Sequence, residues 1–206
     1  MESNEFLRDL YIKNSRLPLR YIEKINLRPS TSDLNSFKKL KSIEDNIELF
    51  VKKHENLLIS SNTVGNGKTS WACRLIMSYI NNYACKYVFK DNTPVLFVNV
   101  PEFLMKKKMA ISNPSIAEEI DNIEKSIFSS NIVVFDDIAT KTASDYDKEL
   151  LYIYINSRTN NLKTNIYTTN VSQNELENEL GERIADRIIG YSICIELTGS
   201  SRRDIK

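Results

Sequence analysis

The chain has 206 residues, enough for one domain of ordinary size with a substantial hydrophobic core. Its composition, 41% hydrophobic and 27% charged, is typical of a soluble globular protein, and a net charge of +1 excludes a general electrostatic attraction to nucleic acid or to an anionic membrane. The sequence has no apolar stretch as long as a membrane span and no signal peptide, and its three cysteines lack metal-ligand spacing, so we predict a cytoplasmic protein with free thiols.

The first 55 residues are predicted to form two helices joined by a linker. Residues 4–14 can form a short helix, and a proline-interrupted linker follows at 15–25. Residues 34–54 have the 3.6-residue period of one amphipathic helix with a lysine-rich outer face. The apolar faces of these helices are Phe6, Leu7, Leu10 and Tyr11 in the first and Phe37, Leu40, Ile43, Ile47 and Phe50 in the second. The chain accordingly divides into an amino-terminal segment (1–14), a linker with a lysine-rich helix (15–55) and a core (56–206).

From residue 56 onward, short apolar runs alternate with helical periodicity, a pattern typical of a parallel sheet covered by helices. The predicted strands span residues 56–61, 94–100, 131–135, 163–169 and 191–197. A helix that begins at Gly67 and a helix at 144–160 have apolar faces formed by Ala72, Leu75, Ile76, Tyr79 and Tyr83 in the first and by Leu150, Leu151, Tyr154 and Ile155 in the second. We therefore predict an α/β fold with a five-stranded parallel sheet and helices on both faces.

A glycine-containing turn follows the first predicted strand. Residues 62–69 have the sequence Asn-Thr-Val-Gly-Asn-Gly-Lys-Thr, which places Gly-Lys-Thr at the start of a helix. This order of strand, tight turn and helix is typical of a phosphate-binding loop, in which Lys68 reaches the terminal phosphates and the Thr69 hydroxyl ligates Mg²⁺. Asn62 stands where the pattern has its first glycine, and we expect the change to be tolerated because Asn accepts positive φ.

The third predicted strand ends in two carboxylates, Asp136 and Asp137, 68 residues (136 − 68) after Lys68. Parallel α/β sheets bind their ligands at the carboxyl ends of the strands. Asp136 is suited to hold Mg²⁺ through water, and Asp137 is suited to orient and deprotonate the water that attacks a γ-phosphate. The sequence therefore favours a site for ATP or ADP with Mg²⁺, the alternative being a Gly-Lys-Thr turn that binds no nucleotide.

Two later stretches place further polar residues near predicted strands. Asn170 directly follows the fourth strand, where it can reach a γ-phosphate. Arg183 and Arg187 lie four residues apart, and hence on one helical face, shortly before the fifth strand.

The chain ends with Leu-Thr-Gly-Ser-Ser-Arg-Arg at 197–203, and Leu-Pro-Leu-Arg-Tyr lies at 17–21. Together with the phosphate loop, the Asp-Asp ending and the polar residues above, these stretches resemble the ATPase domain of bacterial replicative-helicase loaders of the DnaC/DnaI type, within the AAA+ ATPases. The related IstB-type transposition ATPases share most of these signatures. The resemblance covers residues 15–203.

The resemblance implies a role for each residue that matches it. Lys68 and Thr69 match the Walker A lysine and Mg²⁺ ligand, and Asp136 and Asp137 match the Walker B pair. Asn170 matches sensor 1, which positions the attacking water.

Arg187 matches the arginine finger of this family, which reaches the γ-phosphate of a neighbouring subunit. Arg203, with Gly199 and Ser201, matches a second basic contact near the nucleotide, and residues 17–21 match the lining of the adenine. The implied nucleotide-binding residues are Leu17, Tyr21, Asn62, Val64, Gly65, Asn66, Gly67, Lys68, Thr69, Ser70 and Arg203, and the implied Mg²⁺ ligands are Thr69 and Asp136.

Both arginines also have a structural interpretation as salt-bridge partners. Arg183 can pair with Glu179 or Glu182, and Arg187 can pair with Asp186 or Glu179.

The resemblance further implies an AAA+ fold without a carboxyl-terminal helical lid, a homo-oligomer built by head-to-tail contact, and a DnaB-type replicative DNA helicase as partner. Loaders of this type carry a separate amino-terminal helicase-binding domain, so the segment 1–14 is interpreted as a reduced docking helix; the alternative is a chain that acts on a host's loader or helicase through its ATPase face. Single-stranded DNA is a further candidate ligand, because Lys106, Lys107 and Lys108 follow Phe103 and can track a phosphate backbone. A solvated helix turn is the interpretation that we favour for these lysines, given the near-neutral chain.

Two other functions are compatible with the same sequence. One is an IstB-like regulator that remodels a transposase on DNA. The other is a nucleotide-gated interaction protein with little hydrolysis, which Asn62 and the aspartate rather than glutamate at Asp137 leave open.

Overall fold

The centre of the molecule is a five-stranded parallel β-sheet. The computed structural model describes residues 2–22, 25, 27–88, 94–139 and 143–201. The strands are β1 (Asn56–Ser60), β2 (Val95–Asn99), β3 (Ile132–Asp136), β4 (Thr164–Thr169) and β5 (Ser192–Glu196). They are all parallel, in the order β2-β3-β4-β1-β5. The predicted five-stranded parallel sheet is confirmed, with strand ends displaced by one residue.

The register of the sheet brings polar side chains together at the carboxyl ends of the strands. Asn99 of β2 lies beside Asp136 of β3, and Ser60 of β1 lies beside Thr169 of β4. The apolar residues of β1 and β3 are buried on both faces of the sheet, which explains why these strands are continuous apolar runs without alternation. Polar residues therefore concentrate where the runs end.

Helices cover both faces of the sheet, as predicted. They are α1 (Glu2–Asn14), α2 (Leu34–Asp45), α3 (Ile47–Lys52), α4 (Lys68–Asn82), α5 (Val100–Met109), α6 (Pro114–Ser129), α7 (Asp145–Asn160), α8 (Gln173–Leu180) and α9 (Glu182–Gly190). Residues of α1 to α4 pack with Leu57 and Ile59 of β1 in one core, whereas residues of α5 to α9 pack with Leu58 in the other. This division follows from the alternation of side chains along a strand.

The single helix predicted at 34–54 is wrong, because the chain breaks into α2 and α3 at Asn46. The Asn46 backbone leaves the helical region, with φ −119° and ψ 28°, and its side-chain Nδ2 donates a 2.9 Å hydrogen bond to the carbonyl of Ser42. Asparagine competes with the helix in this way because its short amide reaches nearby backbone groups. The predicted core face survives the break: Phe37, Leu40, Ile47 and Phe50 are buried and Ile43 is partly buried.

The amino-terminal helix α1 packs through only part of its predicted apolar face. Tyr11 is fully buried and Leu7 is partly buried, but the Phe6 side chain is 68% exposed. Beyond the helix, the carbonyl of Ser15 accepts a 2.8 Å hydrogen bond from the Phe97 N–H of the edge strand β2. This contact anchors the linker at the edge of the sheet and directs it across the carboxyl ends of the strands.

The segment after β5 is held against the start of α2 by one buried carboxylate. Asp33 accepts hydrogen bonds from the backbone N–H of Thr198 at 2.6 Å and from that of Gly199 at 3.0 Å. A Cβ on Gly199 would lie 2.1 Å from Asp33 Oδ2, so only glycine fits at this position. In the part of the chain that the structure describes, no helix is long and apolar enough to cross a membrane.

Candidate nucleotide-binding site

The loop between β1 and α4 has the backbone geometry of an anion-binding turn. Gly65 and Gly67 both have positive φ, 84° and 107°, and Gly67 is the N-cap of α4. Successive N–H groups in such a turn point inward and lie at the positive end of the helix dipole. The loop is therefore suited to surround phosphate groups, as the sequence predicts.

The loop tolerates Asn62 for a reason different from the predicted one. Asn62 is not among the described non-glycine residues with positive φ, and its side chain is exposed. The predicted reason for tolerance, that asparagine accepts a positive φ, therefore does not apply at this position. Buried Asn66 tethers the loop instead: its side-chain amide donates to the Ser61 hydroxyl and, at 3.1 Å, to the carbonyl of Leu197.

Lys68 extends its amine back along the loop. Its side chain is 5% exposed, and Nζ donates to the carbonyl of Thr63 at 3.0 Å, with the carbonyl of Ser61 and Asn66 Oδ1 at 3.5 Å. Loop carbonyls thus hold the cation at the mouth of the turn, where an incoming phosphate can exchange for them.

Thr69, Asp136 and Thr168 form the buried polar centre of the site. Asp136 Oδ1 accepts hydrogen bonds from the hydroxyl of Thr69 at 2.8 Å and from that of Thr168 at 2.7 Å. Burial raises the pKa of the Asp136 carboxyl, and the two hydroxyl hydrogen bonds oppose this shift. Thr168 was missed in the sequence analysis, although its place near the end of β4 was the available signal.

Asp137 and Asn170 meet beside this centre. Asp137 has φ 54°, and its backbone N–H donates to the Thr168 hydroxyl at 3.0 Å. The Asn170 amide donates to Asp137 Oδ1 at 2.7 Å. The structure therefore brings the two predicted catalytic residues of neighbouring strands into direct contact.

Two adjoining cavities lie over the carboxyl ends of the strands. One, of about 420 Å³, is the loop cavity, and its lining includes Val64, Gly65, Gly67, Lys68, Thr69, Ser70, Asp136, Asp137 and Asn170. The other, of about 570 Å³, is the outer cavity, which extends past Asn99 toward α5 and the linker. Tyr21 lines both cavities, whereas buried Leu17 lines only the outer one. Ile25 and Leu27, which the sequence analysis did not single out, supply apolar lining to the loop cavity.

The residues of the loop cavity fit ATP and Mg²⁺ by the chemistry of their donors. A threonine hydroxyl 2.8 Å from a carboxylate offers the hard oxygen ligands that Mg²⁺ prefers. The two positive-φ glycines and Lys68 offer the N–H groups and the cation that phosphates require.

The two arginines of α9 lie outside the loop cavity. The Arg187 guanidinium donates to the hydroxyl of Tyr191 at 3.2 Å, and no carboxylate of the described residues lies within salt-bridge distance of it. Arg183 lies 3.5 Å from a carboxylate oxygen of Glu149, and its Cζ is 4.0 Å from the ring centroid of Tyr152.

These contacts correct the salt bridges considered for α9. Arg183 pairs across to α7 rather than with Glu179 or Glu182, because its side chain lies over the α7 surface. Arg203 lies outside the described residues, while Gly199 contacts Asp33.

The lysine run lies on the partly exposed surface of α5, as favoured from the sequence, and its amines form salt bridges there. Lys106 pairs with Glu102 and Glu119, Lys107 with Glu124, and Lys108 with Asp147, at 2.6 to 3.2 Å. Phe103 is buried and packs edge-on against Tyr154. The lysine charges and the Phe103 ring, which contact with a DNA strand would require, are therefore engaged by α6 and α7.

The pKa of Asp136 predicts a stability change with a definite sign. The raised pKa means that, between the ordinary Asp value of 3.8 and the raised value, the folded state binds more protons than the unfolded state. The free energy of unfolding therefore falls as pH rises through this window. At neutral pH the full free-energy cost of burying the Asp136 charge is present. Asp136→Asn, which can still accept both hydroxyl hydrogen bonds, is expected to raise the free energy of unfolding at neutral pH without Mg²⁺ or nucleotide.

Urea unfolding across the acid to neutral range measures this effect. The gain from Asp136→Asn should shrink to nothing below the ordinary Asp pKa. Glu118→Gln, at an exposed carboxylate, is the matched control and should leave the free energy of unfolding at neutral pH nearly unchanged. A stability loss for Asp136→Asn at neutral pH would contradict the assigned cost of burying this charge.

Comparison with solved structures identifies the fold. The chain superposes on the crystal structure of the DnaC helicase loader with a TM-score of 0.66 and 20% identity, covering 88% of this chain and 100% of that one. For DnaI the TM-score is 0.66 at 18% identity, covering 89% of this chain and 95% of that one. For AMPPCP-bound DnaA from Aquifex aeolicus the TM-score is 0.65 at 15% identity, covering 89% of this chain and 51% of that one.

Sequence comparison gives no relative: no protein-family model matches the chain, and no curated protein matches it. The predicted AAA+ fold and the resemblance to DnaC/DnaI loaders are thus confirmed at the level of structure.

Proposed function

We propose that this chain is a cytoplasmic, ATP-binding AAA+ ATPase that acts as a helicase loader. The observation that carries the proposal is the hydrogen-bonded set at the loop cavity, in which Thr69 contacts Asp136 and Asn170 contacts Asp137. A fortuitous Gly-Lys-Thr turn has no reason to bring a second acid and an amide from neighbouring strands into this arrangement. The loader fold supports the same proposal.

The residues of the site divide between phosphate binding and water activation. The loop N–H groups and Lys68 bind the phosphates of ATP, and Tyr21 with Ile25 and Leu27 forms the adenine side of the cavity. Thr69 and Asp136 hold Mg²⁺, which when bound neutralises charge on the terminal phosphates. Asp137 accepts a proton from the attacking water, and Asn170 orients that water and the Asp137 carboxylate.

The site is completed by a second copy of the chain in this proposal. Arg187 lies on the surface helix α9, outside the loop cavity of its own subunit, and its guanidinium forms no salt bridge with a described residue. A head-to-tail homo-oligomer places it against the γ-phosphate of the neighbour, where a cation stabilises the transition-state charge. Arg203 is proposed as a further basic contact near the nucleotide.

The proposed partner is a DnaB-type replicative helicase, which the chain delivers to single-stranded DNA. One solved relative is described as a helicase loader, and a DnaA relative is described as bound to AMPPCP and single-stranded DNA. The exposed Phe6 of α1 offers one apolar contact for docking. Because the α5 lysines are paired, DNA contact is proposed for the assembled complex rather than for this lysine run.

A loading assay tests the proposal. Helicase delivery to a fluorescent single-stranded DNA circle is measured with ATP for the parent chain and for Lys68→Ala. We expect delivery by the parent and at least a tenfold loss for Lys68→Ala. Delivery that is absent in the parent, despite ATP binding, would contradict the loader role and favour the transposition regulator or the nucleotide-gated interaction protein.

A further inference from the structure

The linker places an arginine over the nucleotide site of its own subunit. Pro18, with φ −61° and ψ 132°, precedes a short 3₁₀ turn at Leu19–Tyr21. Buried Leu17 and half-buried Tyr21 anchor the two sides of this turn. The turn is thereby fixed over the carboxyl ends of the strands, and Arg20 lies at its centre.

Arg20 lines both the loop cavity and the outer cavity. The two cavities share Thr69, Asp136 and Asn99, which mark the Mg²⁺ end of the site. The arginine therefore lies next to the position of the terminal phosphates, beyond the adenine side that Ile25 and Leu27 line.

Arg20 has no hydrogen-bond or salt-bridge partner in the part of the chain that the structure describes. Its guanidinium contacts the face of Tyr21, with Cζ 4.6 Å from the ring centroid. By contrast, its neighbour Arg16 hydrogen-bonds to Glu119. Among the described residues, no acceptor engages the five N–H donors of this exposed guanidinium, and such donors are suited to bind an anion.

The fixed charges of the loop cavity leave a place for a second cation. Lys68 faces two carboxylates, Asp136 and Asp137, so without Arg20 these three residues carry a net negative charge when ionised. The polyphosphate of ATP adds further negative charge, and Mg²⁺ compensates only part of it. Arg20 is the other cation that lines the loop cavity among the described residues.

We propose that Arg20 binds the terminal phosphates of ATP within its own subunit. This inference rests on the proposed function, and it adds a phosphate contact to the site. Its role differs from that of Arg187, which acts on the neighbouring subunit. It also differs from the adenine-lining role expected for residues 17–21, because a planar guanidinium matches a phosphate through paired N–H donors.

Titration with a fluorescent ATP analogue and Mg²⁺, at a protein concentration below assembly, tests the inference. Arg20→Ala is expected to weaken binding about tenfold, the usual effect of losing a hydrogen bond to a charged group. Arg20→Lys should recover part of the loss, because it restores the charge without the paired donors. Circular dichroism should show unchanged folding in both variants, since Arg20 is exposed.

Lys13→Ala is the matched control, because exposed Lys13 lines the outer cavity but not the loop cavity. It should bind the analogue within twofold of the parent. If Lys13→Ala and Arg20→Ala lose affinity for the analogue equally, the direct contact is overturned, because the loss then reflects the net positive charge around the cavities. If Arg20→Ala binds the analogue as the parent does while Lys68→Ala loses binding, this inference alone is overturned. If the parent chain binds no nucleotide, the proposed function is overturned as well.

Discussion

Arg187→Ala is expected to lower the ATPase rate of the assembled protein by about 10³-fold or more, the effect of removing an arginine finger. Arg187 lies on α9, outside its own loop cavity, and its guanidinium donates a 3.2 Å hydrogen bond to the Tyr191 hydroxyl and lies near the Tyr152 hydroxyl. Its removal should therefore leave folding and the affinity of the subunit for ATP nearly unchanged. Steady-state hydrolysis at saturating ATP, with oligomer size measured on the same sample, tests this expectation.

Arg183→Ala is the matched control on the same helix. Arg183 is exposed and contacts Glu149 and Tyr152, so its loss should change the rate only a few-fold. A rate for assembled Arg187→Ala that equals the parent rate would contradict the assignment of the finger.

Mixing two inactive variants separates a shared site from a site within one subunit. Arg187→Ala keeps an intact phosphate loop, and Lys68→Ala keeps an intact finger. If the site is shared, mixed oligomers contain some interfaces with both parts, and hydrolysis returns on mixing. If all the parts act within one subunit, the mixture stays as inactive as its components.

Asp137→Asn is expected to lower turnover at least about 100-fold, the usual contribution of a general base. Asp137 has φ 54°, a left-handed conformation that asparagine also adopts readily, so the backbone should not change. The substituted amide can still accept the 2.7 Å hydrogen bond from Asn170. The variant therefore removes the charge and the basicity of the side chain while it preserves the local structure.

Single-turnover hydrolysis and ATP binding, measured on the same preparation, test this prediction. Asn170→Ala is the matched comparison. Its turnover should fall less than that of Asp137→Asn, because Asn170 orients the attacking water but does not accept its proton. Turnover of Asp137→Asn within a few-fold of a slow parent would contradict the catalytic assignment and support a nucleotide-gated interaction protein.

The fold and the centre of the site could be predicted because their signals are local in sequence. One apolar run leads into the turn that contains Gly-Lys-Thr, and another ends in Asp136 and Asp137. Parallel strands bring such ends to the same edge of the sheet. The positions of the five strands followed from short runs rich in apolar and β-branched residues, which needed no tertiary information.

Other features depend on contacts between distant parts of the chain, which no local pattern encodes. Lys107 pairs with Glu124, and Arg183 pairs with Glu149, only because the helices that carry them pack together. Arg158 is another example, because its buried guanidinium donates to the carbonyls of Ile127 and Ser130 at the end of α6 and to that of Thr164 in β4.

The break at Asn46 and the backbone of Asn62 show a second limit. Both residues were interpreted from average preferences, a helical period in one case and tolerance of positive φ in the other. At Asn46 a hydrogen bond to the Ser42 carbonyl accompanies the break in the helix. In the phosphate loop, the tether is formed by Asn66 and not by Asn62.

The measurement that tests the account most directly is the ATPase rate per subunit of the parent chain as a function of protein concentration, with oligomer mass determined at each point. A shared site predicts a rate per subunit that is negligible for the monomer and rises in step with assembly. A rate per subunit that stays constant while the oligomer forms would contradict a site completed by the neighbouring subunit.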